Sequence, residues 1–457
     1  MTLTDDPAPG SHAHVSVAIQ RPDDGSMLVL RGGILPSFAV DARSPWQVVS
    51  SVNEEMNGRL GLTVTTLRAA WLSSSRLERL YEAVWLGGAV PAGSAWTSLG
   101  ELHEALEATT QTSSGVRGAI QDGALTPAAG NLQPWYMPGW LHGMVAWIDE
   151  RLVDAGLRRH GPIRQVRSWG RSALFQLETD RGSVWAKEVP AGFAHEIGVT
   201  GLLADLDPGL VPPLIAADPA SGRLLMSHVA GPLLCEVSEP AAWTATVARL
   251  GETQRVLTAE RGRLAVAGVA AARLTTLADE IPALLADRDL LRVGLDGGIS
   301  DAVADRLAVH AEELTQACRE LSSSGLPDSL DHGDLLPSQV IVGEMGPVIL
   351  DWSDAAVTHP FLALASFLSV AADLPTGARD EVIETYLRSW AGVADVPAAA
   401  DARDAYHLAA MVAPLHVARL FRDRILPGLE QTWEVDRVVP GVLGALADRL
   451  ASEGAAG

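Results

Sequence analysis

Lysine is almost missing from this chain: of 457 residues only Lys187 is one, and arginine supplies all the other positive charge that counts at neutral pH. A sequence so biased against Lys keeps one where Arg does not serve. A compact ammonium on a slim stem fits a narrow phosphate-contacting slot that a planar guanidinium fork does not, whereas an ordinary surface lysine is the plainer alternative. Cysteine is nearly as scarce. Cys235 and Cys318 lie far apart and form no metal-ligand or redox pattern, so a disulfide framework is excluded and two buried thiols in a reducing compartment are expected. No apolar run reaches the roughly 20 residues of a membrane span. Residues 1–14 are acidic and Pro-containing, without the basic-then-apolar order of a secretory signal, which gives a cytoplasmic location as the expectation. No internal repeat is present.

The charge balance excludes a further class. A net charge of −22 leaves no clustered Lys and Arg to follow a phosphate backbone, so nucleic acid is not an expected partner. The same acidity favours a cationic small molecule over an anionic one. What the chain has in quantity is Ala, Val and Leu. Its 47% apolar content and mean hydropathy of +0.15 suffice for well-packed cores, and its length argues for two or three folding units.

Residues 14–106 read as mixed α/β. Strands are expected at 15–19 and 27–31 around the turn Pro22-Asp23-Asp24-Gly25, then a break at Gly32-Gly33, a helix at 50–60, and strands at 62–71 and 83–86. Residues 107–131 are rich in Thr, Ser, Gly, Ala and Gln with little apolar periodicity, and read as a linker or loop. Trp140, Leu141, Met144, Val145, Ile148 and Leu152 recur at helical spacing between Pro138-Gly139 and Gly156. A three-strand meander follows at 165–169, 173–178 and 184–189, turning at Asp180-Arg181-Gly182 before the Lys187 strand. Residues 195–206 are expected to be helical, with strands at 211–216 and 224–229. After Gly231 the pattern is helical except at 330–351.

That exception carries the chemistry. Asp331-His332-Gly333-Asp334-Leu335-Leu336-Pro337-Ser338-Gln339-Val340 is followed by Val348-Ile349-Leu350-Asp351-Trp352-Ser353-Asp354. A hairpin between the two segments can return Asp334 and Asp351 to one end, and the expectation is that one carboxylate then orients an attacking hydroxyl while the other holds Mg²⁺ against nucleotide phosphates. Taken singly, each piece has a plainer reading, a buried hydrogen-bonded His–Asp pair or an aspartate ending a strand.

Together the segments resemble the His-Gly-Asp-x-x-x-x-Asn catalytic loop and Ile-Asp-Trp metal motif of the aminoglycoside phosphotransferase and choline-kinase-like family. The resemblance runs from about Gln165 to the C-terminus and implies ATP and Mg²⁺ as cofactors and a small-molecule hydroxyl as acceptor. It makes Asp334 the catalytic aspartate, His332 the loop-organising histidine and Asp351 the main metal ligand. By the same resemblance Val184-Trp185-Ala186-Lys187 is the strand of the phosphate-binding lysine, with Glu196 on the next helix as its ion-pair partner. Gly170 and Ser172 stand where the glycine loop contacts phosphate, with one Gly where protein kinases carry several. His228 and Val229 stand where the hinge offers backbone groups to adenine. Two positions depart from the pattern. Gln339 replaces the metal-binding Asn, and Thr358-His359-Pro360-Phe361-Leu362-Ala363 lacks the final aspartate of the usual Asp-Pro-x-x-Asp run. Asp354 either shares the metal environment or faces solvent.

The N-terminal order of strands, Gly32-Gly33, helix and strands resembles a Nudix hydrolase in outline. The helix Val52-Asn53-Glu54-Glu55-Met56-Asn57-Gly58 keeps two glutamates but lacks the Arg-Glu pair, and neighbouring glutamates diverge on a helix, so a solvated face is favoured over catalysis. The expected fold is therefore α+β: a bilobal protein-kinase-like fold, with a small β-rich N-lobe and a mostly helical C-lobe, preceded by an α/β Nudix-like domain. The expected boundaries are 1–110 for that domain, 111–135 for the linker, 136–230 for the N-lobe and 231–457 for the C-lobe.

The function these readings favour is transfer of the ATP γ-phosphoryl group to a small-molecule hydroxyl, with an aminoglycoside or amino sugar as the acceptor class the charge suggests. A nucleotide-binding pseudokinase-type regulator and a Nudix-type hydrolase are the alternatives. The acceptor pocket is expected among the C-lobe helices at 404–424, where Tyr406, His407, His416, Arg419, Arg422 and Asp423 are candidates.

Overall fold

The computed structural model describes residues 10–126, 132–372, 374–391 and 399–456. They fall into two compact units, one running through Pro190 and including Leu429–Gln431, the other made of Ala191–Gly428 and the residues from Thr432 onward.

The first unit begins with β1 (His12–Gln20), β2 (Met27–Val29), β3 (Ser37–Asp41), α1 (Ser50–Leu60), β4 (Thr63–Leu72), β5 (Glu78–Gly87) and β6 (Ala95–Thr97). The six strands form one sheet in the order β4-β5-β1-β2-β6, with β3 also on β1. β1 and β5 pair in parallel, from His14↔Glu78 to Gln20↔Val84, so the chain must cross over between them, and α1 lies on that path. α1 buries Ser50, Val52 and Met56 and stops at Gly61, which takes the left-handed conformation (φ 66°) that a side chain disfavours. Its two glutamates stay outside the core. Glu54 is exposed and pairs with Arg164 at 2.9 Å, while Glu55 pairs with Arg59 one turn along the same helix.

Two more helices, α2 (Leu99–Glu107) and α3 (Ser114–Gln121), close over this sheet. Leu102, Leu106, Val116 and Ile120 join Val29 and Leu80 in one core. This corrects the expected linker at 111–135. Within it α3 is capped by the Ser113 hydroxyl, which accepts the Val116 N–H at 3.2 Å, and buries Val116, Ala119 and Ile120. Eight residues with three apolar positions are too few to show a period, although they suffice to join the core over the sheet. Residues 127–131 of that stretch lie outside the described residues. A buried ion cluster crosses the same sheet. Arg68, 1% exposed, donates to Glu82 at 2.9 Å, to Glu430 at 3.3 Å and to the Ala124 carbonyl at 3.0 Å, so its charge is matched on three sides.

The unit continues through α4 (Trp140–Asp154) into the antiparallel meander β7 (Arg159–Trp169), β8 (Ser172–Thr179) and β9 (Gly182–Glu188). β7 is tied to the first sheet by buried polar groups. The Gln165 side chain accepts from Asn53 Nδ2 at 3.0 Å, Thr65 Oγ1 at 3.0 Å and the Thr66 N–H at 2.9 Å, and it donates to the Thr66 carbonyl at 2.7 Å. The Ser168 hydroxyl donates to the Leu67 carbonyl, and backbone bonds join Val49 to Val166 and Ser168 to Gln47. The expected N-terminal domain and the lysine-bearing strands both fall within the first compact unit.

The second unit holds α5 (His195–Leu206), β10 (Leu214–Asp218), β11 (Arg223–Ser227), α6 (Pro240–Leu257), α7 (Arg261–Val266), α8 (Leu274–Ala286), α9 (Asp301–Val309) and α10 (Ala311–Ser322). Next come β12 (Ser329–Asp331), β13 (Val340–Gly343), β14 (Gly346–Ile349), β15 (Ala356–Thr358), α11 (Phe361–Ser369), α12 (Arg379–Ser389), α13 (Ala399–Leu420) and α14 (Val438–Ala456). Two short antiparallel pairs, β12–β15 and β13–β14, interrupt the helices where the sequence placed its acidic motifs. The whole is mixed α+β, as expected. Ala363, where the family pattern has an aspartate, is buried in α11 among Phe361, Leu362 and Leu364. No helix among the described residues is long and apolar enough to cross a membrane. Neither cysteine forms a disulfide. Cys318 is buried and its thiol is pushed up to about 12 by burial, while Cys235 is half-buried rather than buried as expected.

Candidate active site

β12 runs straight into His332-Gly333-Asp334, and a single 3₁₀ turn, Pro337–Gln339, carries the chain into the β13–β14 hairpin. The hairpin register pairs Val340 with Ile349, and the ladder extends one step further because the Leu350 N–H donates to the Gln339 carbonyl at 2.9 Å. Gln339 and Asp351 therefore stand at the same open end of the hairpin.

His332 joins the two acidic arms. Its ring is fully buried, packs on Trp352 with centroids 4.6 Å apart, and places Nε2 at 2.9 Å from the Leu350 carbonyl. A carbonyl only accepts, so Nε2 carries the proton and Nδ1 faces the Asp334 N–H, 3.4 Å away. One imidazole thus bonds to the residue before Asp351 and to Asp334 itself. Burial holds the ring well below the ordinary histidine value against the pull of the Leu350 carbonyl and of Asp351, Asp331 and Asp354, so it stays the neutral, single-tautomer strut that this geometry needs.

Gly333 makes the close approach possible. It sits at φ 81°, and a Cβ there would lie 2.2 Å from the Asp354 carbonyl oxygen. Asp351 is itself left-handed (φ 64°, ψ 62°), a conformation rare for a side-chain-bearing residue and typical of a site that holds a group in place. Both Asp334 and Asp351 are half-buried. The Asp354 side chain is buried, not solvent-facing, and lies 3.6 Å from Arg424.

Gln339 answers its own loop. Its side-chain oxygen accepts the Leu336 N–H at 3.1 Å, a bond that closes the 3₁₀ turn, so one of the two lone pairs of that oxygen is already used. Glu196, the second residue of α5, is 2% exposed. His228 and Val229 directly follow β11, exposed and half-buried respectively.

The remaining expected residues lie in the first unit. Lys187, on β9 opposite Leu174 of β8, is 9% exposed and so is no surface lysine. Gly170 lies in the turn between β7 and β8, and Ser172 opens β8. The Trp169 indole N–H donates to the Ser172 hydroxyl at 3.0 Å, so that oxygen is engaged and its proton points elsewhere. Trp169 is packed edge-on against Trp46, and its carbonyl accepts the Trp135 indole N–H at 3.0 Å.

Residues 163–425, more than half of the chain, match the pattern of the phosphotransferase enzyme family. The chain belongs to that family. It is a small-molecule phosphotransferase, and the loop and hairpin just described lie within the matched span. Among solved structures, this phosphotransferase resembles a type I macrolide 2'-phosphotransferase at 15% identity, over 66% of its own length and 97% of that chain, with a TM-score of 0.45. It resembles choline kinase LicA from Streptococcus pneumoniae at 14% identity, over 67% and 99% of the two chains, with a TM-score of 0.45. An aminoglycoside phosphotransferase from Streptomyces rimosus matches at 18% identity, over 61% and 98%, with a TM-score of 0.35. No curated protein matches the chain.

The acceptor residues expected on the C-terminal helices divide differently from a pocket lining. Tyr406 and His416 are buried, and Arg419 and Arg422 pair with Glu280 of α8 and with Asp423. Sequence reasoning missed two participants around the hairpin. Arg424 donates to the Ser353 and Ala355 carbonyls at 3.2 and 3.3 Å, and His195 is pushed down to about 4 by burial and by Arg424. No local pattern marks either residue, because their partners are remote in sequence.

The buried imidazoles set an acid limit. His195 and His359 are pushed down to about 4 and about 3 from 6.5, and His332 is lowered as well, in each case mainly by burial. Below pH 6.5 the unfolded chain takes up protons that the native state refuses, so stability falls as pH drops from 6.5 toward the folded values. Each such group contributes a slope of up to about 1.4 kcal/mol per pH unit. Urea unfolding at pH 7.5 and 5 is expected to show a lower midpoint at pH 5, and substituting His359 by Gln is expected to flatten the difference. An unchanged midpoint across that range would contradict the burial assignment.

Proposed function

We propose that this phosphotransferase moves the γ-phosphoryl group of ATP to a hydroxyl of a small molecule, with amine-bearing acceptors such as amino sugars and aminoglycosides as the favoured class. The observation that carries the reading is His332, whose buried ring bonds to Asp334 and to Leu350, the residue before Asp351. Asp334 orients the acceptor hydroxyl and takes its proton as the new O–P bond forms and the bond from Pγ to the β-phosphate oxygen breaks. Lys187 binds the α- and β-phosphates with Glu196 as its ionic partner, while backbone around Gly170 and Ser172 contacts phosphate. His228 and Val229 offer backbone groups to the adenine.

The donor set suits Mg²⁺. Asp351 supplies a hard carboxylate oxygen, and Gln339 has one carboxamide lone pair beyond its capping bond. Among the described residues no three His, Cys, Asp or Glu side chains converge as a closed metal cage. Mg²⁺ in nucleotide sites needs only one or two carboxylates beside phosphate oxygens, and when bound it neutralises charge on those oxygens. Positioning then supplies most of the rate. The net charge of −22 supports a cationic acceptor.

A coupled ADP assay and phosphorus NMR over amino sugars, aminoglycosides and simple sugars test the proposal. Transfer to an amine-bearing acceptor is expected, and ATP binding without transfer to any of them would instead favour the regulatory reading. Replacing Lys187 by Arg is expected to raise the KM for ATP about tenfold, because the fork does not fit a slot shaped for an ammonium. An unchanged KM would remove Lys187 from the phosphate site.

We further propose that the N-terminal sheet and α1 form a Nudix-like scaffold without hydrolase activity. Support comes from the strand–helix order and from Glu54 and Glu55, whose carboxylates are held by Arg164 and Arg59. The full chain incubated with nucleoside diphosphate sugars and Mg²⁺ is expected to release nothing. Release that disappears on replacing both glutamates by Gln would overturn this.

A further inference from the structure

Helix α13 continues into a π turn, Phe421–Ile425, and touches the chain on both sides of the proposed catalytic hairpin. His416, 3% exposed, places Nε2 at 3.4 Å from Oδ2 of Asp331. Asp331 is 2% exposed, ends β12, and immediately precedes His332-Gly333-Asp334. Eight residues further along, Arg424 donates to the Ser353 and Ala355 carbonyls and lies beside the buried Asp354, just past Asp351. At about 1.5 Å rise per residue the two points are roughly 12 Å apart. One rod therefore grips the arm that leads to Asp334 and the arm that leaves Asp351.

The chemistry of the grips matters. Arg424 bonds to main-chain carbonyls, so it fixes backbone rather than a mobile side chain. The His416–Asp331 pair costs stability. Asp331 Oδ1 and both ring nitrogens of His416 have no hydrogen-bond partner among the described residues, and burying such groups is unfavourable where two apolar side chains would not be. A costly pair kept beneath a loop makes sense where geometry counts more than stability. The far side of the rod is anchored too, since Arg419 and Arg422 both reach Glu280 of α8, at 3.1 and 2.6 Å.

We propose that α13 and its π turn act as a brace that sets the Asp334 arm against the Asp351 arm, with His416 and Arg424 as positioning residues. The proposal rests on the roles given above to those two aspartates. Neither positioning residue touches substrate in this scheme.

The test uses the full chain with His416→Leu, Arg424→Met, the double variant, Arg424→Lys as conservative rescue, and Arg403→Gln as a control on the same helix, where the half-buried Arg403 pairs with Asp380 and Glu384 of α12 rather than with the hairpin. Steady-state kinetics are combined with amide hydrogen exchange over residues 331–339 and 350–355. Each single variant is expected to lower kcat about ten- to a hundredfold with little change in the KM for ATP, since small misplacements are expensive in transfer chemistry. The double variant is expected to be little worse than the poorer single one, because one brace is lost only once. Exchange should quicken at 331–339 for His416→Leu and at 350–355 for Arg424→Met, while Arg424→Lys recovers part of the rate and Arg403→Gln behaves as wild type.

Losses that multiply in the double variant, or a kcat within twofold of wild type with unchanged exchange, would overturn the brace. Should His416→Leu fail to fold, His416→Gln takes its place with the same readouts. If the wild-type protein transfers phosphate to no acceptor, the proposed function fails but the brace is still decided by exchange alone: unaltered protection in both segments rejects it, and faster exchange in each supports it.

Discussion

Replacing Asp334 by Ala is expected to lower kcat on the order of a thousandfold while leaving ATP affinity nearly unchanged. The carboxylate is half-buried in a loop whose backbone is held by His332, and in the proposed function it is the group that orients the acceptor hydroxyl and receives its proton. The Ala variant keeps the Asp334 N–H and hence the hydrogen bond to Nδ1 of His332, so the loop itself is expected to persist. Nucleotide groups assigned to other residues stay in place. Single-turnover phosphate transfer beside equilibrium ATP binding separates the two effects. Wild-type turnover in this variant would end the assignment of Asp334, whatever the family.

Gly333→Ala is the second large effect, and it acts through space rather than chemistry. A methyl group at this position would meet the Asp354 carbonyl oxygen at 2.2 Å and its carbon at 2.7 Å, both backbone atoms that no rotamer change relieves. The positive φ adds about 1–2 kcal/mol for any side chain before the clash is counted. The loop and the turn after Asp351 must therefore separate, and the two aspartates separate with them. A loss of kcat of at least about a hundredfold is expected from such a displacement. A lowered unfolding temperature should accompany it, because the clash and the positive φ both raise the energy of the folded state. Kinetics and thermal unfolding on one sample check both, and a variant with near-normal activity would show that the loop does not need this approach.

How far the sequence foretold the structure depends on where each partner lies along the chain. Local patterns were readable. The expected helices at 50–60 and 195–206 have the observed bounds, and the meander before and around Lys187 appears with its turn where Asp180-Arg181-Gly182 predicts it. The motif hairpin was legible for the same reason, since its two strands are joined by a tight turn and its acidic residues flank it. Features set by distant partners were not. α3 looked like linker because its three buried residues have meaning only against a sheet and a helix formed earlier in the chain, Leu80 of β5 among them. Gln339 was read as a metal ligand from its place in a motif; that its side-chain oxygen also turns back to cap the loop depends on side-chain conformation, which the sequence does not specify. His416 was expected in an acceptor pocket. Its burial beside Asp331 follows from how α13 packs, which helical spacing does not specify.

The family pattern begins at residue 163, inside β7, yet the cohesive unit that contains β7 starts far upstream. Trimming the protein to its recognisable family portion would strip the Gln165 amide of all four of its bonds and expose the Ser168 hydroxyl in place of its partner carbonyl. Evolutionary kinship and mechanical integrity therefore have different edges in this enzyme. A shortened version built on kinship alone should misfold at the very strands that carry its solitary lysine.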